Sequence, residues 1–382
     1  MVSRYDMIAG MPSVLLLSSN GAGMGHLTRL LAYARRLPAG TRTHVLSLSQ
    51  AVPVVGQEGI PWEYLPSQGA TGLRPVSWRR LFAERVAETL DRLDPDVLVF
   101  DGTHPYSGLD VALATRPRTR AVWSRRGMWR PGRNVDQLDK SAWFDAVVEP
   151  GDLSAAADRG ATVDAVDAVR VPPVTLVDRE DVSTREQARQ ALGLPTEGSL
   201  ALVALGAGNL NDTDDEVGAA AAALQARGVG VCVTAPSIAE RAYAGADVHL
   251  VRHFPLSEHF AAFDLVIAAG GYNSFHEALR LGVPAVFVPN QETNLDDQAA
   301  RTRHAAASGW ALSVDTLTGG RADAVVEELL DRGPALAARA LAEDPGNGAE
   351  AAAREILRVA GLAGTGPNAA TRARAAGTGR GR

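Results

Sequence analysis

The residues best suited to chemistry lie between positions 264 and 298. There a Gly-Gly turn, Gly270 and Gly271, separates an apolar strand from a helix that carries Glu277 in its second turn. The free N–H groups at a helix start can face phosphate, and a carboxylate one turn later can accept hydrogen bonds from ribose hydroxyls. The segment therefore predicts a binding site for a nucleotide sugar.

A second candidate is His26, which follows a glycine-rich run ending at Gly25 and opens a predicted helix over residues 26–37. Glycines at such a turn let the backbone approach a ligand closely. The positive end of the helix dipole disfavours the protonated imidazole, so His26 would be available as a general base. The alternative is a histidine that only caps the helix.

The glycine-rich run does not match the dinucleotide-binding pattern G-x-G-x-x-G. Counted from Gly21, His26 takes the place of the last glycine, and counted from Gly23, Thr28 does. The second predicted strand also ends in Ser49-Gln50 instead of the acid that binds an adenosine ribose. A dehydrogenase is therefore excluded on two grounds.

Asp101 and His104 follow the predicted strand Asp96–Phe100. Asp101 could orient a histidine or bind an acceptor, and His104 is a rival to His26 as the base; a plain turn at the strand end is the alternative for both. Paired with His26, Asp101 would hold the imidazole ring and stabilise the imidazolium that forms when an acceptor hydroxyl loses its proton.

Two segments mix cations with aromatic rings. In the stretch Trp123–Arg130, Arg125 and Arg126 could face a phosphate-bearing acceptor or a membrane surface, since arginine pairs with phosphate and tryptophan tolerates an interface. The stretch Trp78–Phe82 allows the same interpretation. A solvated loop over a packed Trp, or one face of an amphipathic helix, is the alternative.

Bulk properties set wider limits. A chain of 382 residues with 46% apolar side chains is long enough for two domains, and a net charge of -6 argues against a nucleic-acid-coating protein. Cys232, the one cysteine, lies in an apolar run, and no run approaches the roughly 18 apolar residues of a membrane span. The sequence predicts a cytoplasmic protein, at most peripheral to the inner face of a membrane.

The acidic run 212–216 is expected to favour the start of the helix that follows it, because negative charge is stabilised at a helix N-terminus. No His/Cys/Asp cluster has convincing metal-ligand spacing along the chain. We predict no catalytic metal and no cofactor.

Short Val/Leu-rich runs alternate with helical stretches, which is typical of parallel sheets covered by helices on both faces. The series restarts in the second half, so we expect two doubly wound halves that face a central cleft. The predicted strands are Ser13–Ser19, Thr43–Ser49, Asp96–Phe100, Ala121–Ser124, Ala146–Glu149, Leu200–Leu205, Val229–Thr234, Val248–Val251, Leu265–Ala269 and Ala285–Val288.

Pro172-Pro173 stiffen the connection between the halves. We place an acceptor-binding domain at residues 1–172 and a nucleotide-sugar-binding domain at residues 173–361. The remaining residues, 362–382, hold four arginines, no acid and few large apolar side chains, so they are expected to form a disordered basic tail.

Two patterns and a later residue pair resemble one family. G-x-G-x-G-H-x-x-R near the N-terminus, G-G-Y-N-S-x-x-E-A-x-x-x-G-x-P after residue 269 and the later D-Q pair are similar to glycosyltransferases of the GT-B fold. The pattern is most similar to the branch of the peptidoglycan lipid-linked N-acetylglucosaminyltransferase. The resemblance covers nearly the whole chain, is strongest over residues 250–301, and implies an α/β fold with two Rossmann-like domains.

The resemblance also implies roles for particular residues. Glu277 would bind the nucleotide ribose, and Asp297 and Gln298 would read the hydroxyls of the donor sugar. The chain around Arg252-His253-Phe254 would hold the uracil, mostly through backbone atoms. Small residues would border the diphosphate, namely Gly206, Gly208, Gly270, Gly271, Asn273 and Ser274. Apart from the resemblance, the residues expected to contact the acceptor are Gly25, His104, Arg125 and Arg126.

The sequence departs from the family pattern at one place. Close relatives carry an arginine after an interdomain Asn-Pro, whereas this chain reads Val171-Pro172-Pro173-Val174-Thr175. Thr175 supplies a hydroxyl, so the charge of the diphosphate must be met by helix N-termini or by another cation such as Arg252.

We therefore expect an inverting, metal-independent glycosyltransferase that uses a nucleotide sugar, most simply a UDP-sugar. His26 would deprotonate the hydroxyl of a small-molecule or lipid-linked acceptor, with Asp101 as its partner. Two alternatives stay open: a nucleotide-sugar 2-epimerase of the same architecture, and a non-catalytic subunit that binds sugar nucleotides.

Overall fold

The computed structural model describes residues 11–19, 24–206, 213–234 and 247–378. Within these ranges the chain forms two parallel sheets, one of seven strands and one of six, with helices packed on their faces. The expectation of two doubly wound α/β domains is confirmed.

The first sheet has the strand order β3-β2-β1-β4-β5-β6-β7. Its strands are β1 (Ser13–Ser18), β2 (Arg42–Ser47), β3 (Trp62–Tyr64), β4 (Val97–Asp101), β5 (Arg120–Ser124), β6 (Ala146–Pro150) and β7 (Ala168–Val171). The helices around it are α1 (Gly25–Ala34), α2 (Gln68–Thr71), α3 (Pro75–Leu93) and α4 (Leu109–Ala114), with 3-10 helices at Val52–Glu58, Val135–Trp143 and Ala155–Ala157.

The second sheet has the strand order β10-β9-β8-β11-β12-β13. Its strands are β8 (Leu200–Ala204), β9 (Gly230–Thr234), β10 (Val248–Val251), β11 (Leu265–Ala269), β12 (Ala285–Val288) and β13 (Leu312–Ser313). The helices around it are α5 (Arg185–Ala191), α6 (Asp214–Gln225), α7 (Tyr272–Leu281), α8 (Gln298–Ser308) and α9 (Arg321–Ala342), with 3-10 helices at Arg179–Asp181 and Leu256–Ala262.

The order of each sheet reverses next to its first strand, between β1 and β4 and between β8 and β11. Ligands of open parallel sheets bind beyond the carboxyl ends of the strands at such a reversal. In the first domain, register aligns the ends of three strands there: Ser18 pairs with Asp101, and Asp101 pairs with Ser124. The sheet itself thus places the carboxylate of Asp101.

The predicted strands are all present, with bounds that shift by up to two residues. Sequence reasoning missed three edge strands, β3, β7 and β13. These strands are two to four residues long, and their side chains are mostly not buried. A short edge strand lacks the continuous apolar run that marks a strand buried on both faces, so periodicity does not reveal it.

The chain returns to the first domain after α9, which corrects the assignment of residues up to 361 to the second domain. Helix α10 (Ala349–Ala360) buries Ile356 and Val359 in the same core as Val14 and Leu16 of β1. Gly348 makes the crossing possible, because a Cβ there would lie 2.0 Å from the carbonyl oxygen of Pro172.

The expectation of a disordered tail from residue 362 is wrong as far as residue 378. Helix α11 (Ala369–Thr378) packs Ala370 into the core around Phe100. Asn368 is fully buried and donates from Nδ2 to the carbonyl oxygens of Leu113 and Thr119, at 3.0 and 2.8 Å. The prediction relied on the low apolar content of this segment. The segment is held to the first domain instead by hydrogen bonds of the Asn368 amide and by ion pairs of Arg372 and Arg374.

Candidate active site

The structure brings His26 and Asp101 together, as the sequence suggested. His26 lies in the first turn of α1, with a side chain that is 12% exposed, and its Nδ1 lies 2.6 Å from Oδ1 of Asp101, which is fully buried at the end of β4. Since Nδ1 is engaged by the carboxylate, Nε2 is the nitrogen left for an acceptor hydroxyl.

Asp101 is held by two further groups. Arg29 donates from Nε to Oδ2 at 2.7 Å and from Nη2 to Oδ1 at 2.6 Å, and Ser124 donates its hydroxyl to Oδ2 at 2.6 Å. Burial alone would raise the pKa of Asp101, but the charges and hydrogen bonds of Arg29 and His26 outweigh it and hold this pKa below its ordinary value. Asp101 is therefore a carboxylate at neutral pH.

The imidazole of His26 is kept neutral. Burial lowers the pKa of His26 below its ordinary value of 6.5, and the charges of Arg29 and Arg126 add to the effect against the opposing pull of Asp101. Arg29 Nη2 lies 3.2 Å from His26 Nδ1. A neutral imidazole oriented by a carboxylate can accept a proton from a hydroxyl.

His104 occupies a different environment. Its Nδ1 lies 3.5 Å from both the Thr103 hydroxyl and the Asn134 amide, and its ring packs against Tyr106. Burial and the nearby Lys140 lower the pKa of His104. The contacts described for His104 do not join it to a carboxylate that could orient its ring.

The structure separates the two adjacent arginines that were expected to face an acceptor. Arg125 is fully buried, with Nη2 3.1 Å from Asp167 and 3.3 Å from Glu149, so its predicted acceptor contact is wrong. Arg126 points to the second domain, where its Nη1 donates to Oδ1 of Asp296 at 3.0 Å.

The rest of this segment also joins the domains instead of facing a membrane. Met128 and Trp129 are buried, and Trp129 forms an antiparallel bridge with Asp296. The Asp297 N–H donates to the Met128 carbonyl at 2.9 Å, and the Arg130 N–H donates to the Leu295 carbonyl at 2.7 Å. The predicted membrane-facing role of this segment is therefore wrong.

On the second domain, the N-terminus of α7 lacks a side-chain cap. Its N-cap is Gly271, and no side chain accepts from the first turn among the described residues. Asn273 and Ser274 lie in that turn and are partly exposed. Uncapped N–H groups at a helix start can bind the oxygens of a diphosphate.

Gly270 is explained by packing. A Cβ at Gly270 would lie 2.5 Å from Cγ2 of Thr302 on α8, so glycine is needed there for the helix to approach. The space expected beside a phosphate is thus occupied by protein at this position. At Gly271 the nearest atom would be Nε2 of Gln298, 3.9 Å away.

Glu277 lies on α7 with one hydrogen bond from the described part of the chain, in which the Ser257 hydroxyl donates to Oε1 at 3.1 Å. Burial raises the pKa of Glu277 to about 7, although the bond from Ser257 acts in the opposite direction. A partly buried carboxylate with spare acceptor capacity can take hydrogen bonds from a diol such as a ribose.

Asp297 and Gln298 lie at the start of α8. Asp297 is the N-cap and accepts from the Ala300 N–H at 3.0 Å, while Oε1 of Gln298 accepts from the Asn290 N–H at 2.9 Å. Within the described part of the chain, each of these side chains makes one hydrogen bond, and the Gln298 amide nitrogen lies beside Gly271.

The remaining candidates are spread around the cleft. Gly206 follows β8 with φ +122°, a left-handed conformation that favours glycine, whereas Gly208 lies outside the described residues. Phe254 packs on the core of the first domain, and Arg252 is exposed. Gly25 is exposed at the start of α1, and a Cβ there would meet open space.

Thr175 does not replace the missing family arginine. It is buried, and its hydroxyl accepts from Arg280 and donates to the carbonyl of Val177. Arg280 lies in the last turn of α7, at the opposite end from the uncapped N-terminus. Arg126, on the cleft side, is a better placed cation.

Sequence reasoning missed the residues that join these parts. Arg29 was present in the H-x-x-R pattern without an assigned role, yet its guanidinium carbon lies 5.1 Å from the ring centroid of Tyr272 on α7. Asp296 bonds Arg126 and also Arg301, at 2.9 Å. The position of Arg29, one turn after His26, could have indicated a role for it from the sequence. Nothing in the sequence indicated the long-range pairs Arg29–Tyr272 and Arg126–Asp296.

Three potential metal ligands also come together among the described residues. His253, Glu258 and His259 place one ligand atom each within 4.8 Å of the others. They lie around the 3-10 helix Leu256–Ala262, next to Ser257. The seven-residue span from His253 to His259 had not suggested a cluster.

Solved structures share this architecture. The crystal structure of Acinetobacter baumannii MurG superposes with a TM-score of 0.59, covering 91% of this chain and 99% of that one at 16% identity. Spinosyn rhamnosyltransferase SpnG complexed with thymidine diphosphate gives a TM-score of 0.60, covering 90% and 100% at 18% identity. The chain has the GT-B fold of glycosyltransferases.

Sequence comparison identifies the family. The family model described as "Glycosyltransferase family 28 C-terminal domain" matches residues 236–356. The UDP-N-acetylglucosamine--N-acetylmuramyl-(pentapeptide) pyrophosphoryl-undecaprenol N-acetylglucosamine transferase of a Nocardioides species is 30% identical over 72% of this chain and 77% of that protein. The protein of the same name from Saccharopolyspora erythraea is 30% identical over 84% and 85%. The chain belongs to glycosyltransferase family 28, and it is a glycosyltransferase that acts on a nucleotide sugar.

None of the described helices combines the length and the apolar character required to cross a bilayer.

Proposed function

We propose that this protein transfers a sugar from a UDP-sugar to an acceptor hydroxyl with inversion at the anomeric carbon. His26 is the general base, Asp101 orients it, and α7 with Glu277 binds the donor. The names of the two sequence relatives, which specify UDP-N-acetylglucosamine, support the choice of UDP.

The observation that carries this proposal is the contact between Arg29 and Tyr272. Arg29 binds the carboxylate that orients His26, and its guanidinium also lies against the first residue after the Gly270-Gly271 turn. The proposed base and the uncapped N-terminus of α7 are therefore neighbours across the cleft. A sugar attached to a diphosphate at α7 would have its anomeric carbon near His26.

The proposed reaction is a single displacement. Nε2 of His26 accepts the acceptor proton as the hydroxyl oxygen forms its bond to the anomeric carbon, and the bond from that carbon to the diphosphate oxygen breaks on the opposite face. Asp101 stabilises the resulting imidazolium through Nδ1. The N–H groups of α7 and the charge of Arg126 stabilise the departing diphosphate, so the proposed step needs no metal ion.

We propose that the acceptor is lipid-linked, in line with the undecaprenol named for the two relatives. On α3 and just before it, Leu73, Val76 and Leu81 are exposed beside Arg79 and Arg80, whereas Trp78 and Phe82 face the core. Apolar and basic side chains on one surface suit peripheral contact with anionic lipid at the inner face of the membrane.

The donor is tested by thermal melting with UDP-, dTDP- and GDP-sugars, because a ligand raises stability by mass action. A rise in Tm with UDP-sugars alone is expected. A rise confined to dTDP- or GDP-sugars would contradict the proposed donor, and product from a UDP-sugar without acceptor would contradict transfer.

The base is tested with a matched pair of histidine variants. His26→Ala should lower kcat by about 10²–10⁴-fold, the range of a general base, and should leave the UDP-sugar Kd nearly unchanged. His104→Ala is the control and should retain transfer. Equal loss in the two variants, or loss only in His104→Ala, would overturn the assignment.

A further inference from the structure

The segment between β10 and β11 contains a cluster of side chains to which the proposed reaction assigns no role, although the backbone around His253 is the stretch expected to hold the uracil. His253 is exposed, Glu258 is partly exposed and His259 is buried, and they approach one another where the two domains meet. Nε2 of His253 lies 3.1 Å from Nε2 of His259, and the ring centroids are 4.3 Å apart at an angle of 64°. Two imidazole nitrogens thus converge beside a carboxylate.

We infer that His253, Glu258 and His259 bind a divalent transition-metal ion such as Zn²⁺. Two Zn–N bonds of about 2.05 Å at a tetrahedral angle span about 3.3 Å between nitrogens, which is near the observed separation. Two histidines and one carboxylate are a ligand set that Zn²⁺ takes in proteins, with water in the fourth position.

A neighbouring hydroxyl prepares His259 for this role. The Ser183 Oγ lies 3.2 Å from Nδ1 of His259, and the Ser183 N–H donates to the Glu258 carbonyl at 2.8 Å. When Nδ1 carries the proton and donates to Ser183, Nε2 presents its lone pair toward His253. Metal-binding histidines are commonly oriented by such a bond at their other nitrogen.

Glu258 already has one cationic partner. Arg35 Nη2 of the first domain lies 3.0 Å from its Oε1, and Arg35 also bonds Glu58. Because a carboxylate has two oxygens, Glu258 can bind an ion and still contact Arg35, while Glu58 balances the arginine charge. The ion would join His253 to the 3-10 helix Leu256–Ala262, next to the Ser257 that bonds Glu277, while Arg35 links Glu258 to the first domain.

The experiment uses tag-free protein treated with a chelator and then titrated with Co²⁺, whose visible absorption reports tetrahedral coordination. The expected result is one Co²⁺ per chain with that absorption, displaced by Zn²⁺. His253→Ala, at an exposed position, should bind at least about tenfold more weakly. His249→Ala removes another exposed histidine of the same segment and should bind like the unaltered protein.

A second readout separates a metal site from a simple hydrogen bond between the rings. Zn²⁺ should raise the Tm of the unaltered protein and of His249→Ala, but not that of His253→Ala. The inference is overturned if the unaltered protein binds no Co²⁺, if His253→Ala binds it equally, or if Zn²⁺ leaves every Tm unchanged. Because no nucleotide is present, the outcome is independent of donor binding.

Discussion

The two sides of the cleft differ in how completely their polar groups are satisfied. On the first domain, Asp101 accepts from His26, Arg29 and Ser124 and is fully buried. On the second, the N-terminus of α7 is uncapped and Glu277 has a single bond from the described residues. Under the proposed function, this difference means that the proposed base is organised before substrate arrives, whereas the proposed donor site keeps its hydrogen-bonding capacity for the ligand.

The largest effect is expected at Asp101, on the first-domain side of the cleft. Asp101→Asn should lower kcat/KM by on the order of 10³-fold, because His26 loses the carboxylate that orients it. It should also lower the free energy of unfolding by about 3–5 kcal/mol, since Arg29 is left buried without its counterion. Steady-state kinetics and urea unfolding measure the two effects.

The matched control for that variant is Asp96→Asn, just before the start of β4 and at the opposite end of that strand from Asp101. Oδ2 of Asp96 accepts from the Ser13 N–H at 2.8 Å, far from the proposed base. The transfer rate of Asp96→Asn should stay close to that of the unaltered protein. Equal kinetic losses in both variants would show that Asp101 acts through stability alone.

The next largest effect is expected at the proposed donor site of the second domain. Glu277→Gln should weaken UDP binding by about tenfold to a hundredfold, because hydrogen bonds to a charged acceptor are lost. Calorimetric titration at pH 8 measures the Kd. An unchanged Kd would place the ribose elsewhere.

Glu277→Gln should weaken UDP binding but should raise the thermal stability of the protein at pH 8. The pKa of Glu277, about 7, lies above its ordinary value of 4.5, so ionisation costs more in the folded protein and stability falls as pH rises from about 4.5 through 7. Glu277→Gln should therefore melt higher than the unaltered protein at pH 8 and equally at pH 4. A lower Tm at pH 8 would contradict this account.

A smaller effect, on stability, is expected for the ion pair between Arg126 and Asp296, which joins the two domains. Arg126→Gln removes the bond to Asp296, but Asp296 keeps Arg301, so the loss of stability should be about 0.5–1 kcal/mol. Arg125→Gln, one residue earlier, removes a fully buried guanidinium that bonds both Glu149 and Asp167, and it should cost about 3–5 kcal/mol. Urea unfolding measures the free energy of unfolding of both variants. Equal losses would contradict the distinction between Arg126 and Arg125.

The smallest expected change is in pH dependence. Because the pKa of His26 is lowered from 6.5, the neutral base persists on acidification, and kcat/KM should stay level through pH 6.5 and fall only below it. The pH–rate profile of the unaltered protein measures this. An acidic limb centred at or above 6.5 would show that the carboxylate dominates the titration of His26.

Much of the donor side could be anticipated because its signals are local. The Gly270-Gly271 turn, the start of α7 and Glu277 lie within eight consecutive residues, so spacing alone places the carboxylate one turn beyond the helix start. The first-domain pair was anticipated because strand ends in a parallel sheet meet at one edge. The failures, Arg125 and the segment after residue 361, depend on partners far along the chain.

The sequence by itself determined the two doubly wound halves and the positions of His26, Asp101 and Glu277, since hydrophobic periodicity and turn residues act over short spans. Only the tertiary structure decided that Arg126 and not Arg125 reaches the cleft, and that α10 and α11 return to the first domain. Adjacent residues of one extended segment point to opposite sides, and which side is buried is set by long-range packing.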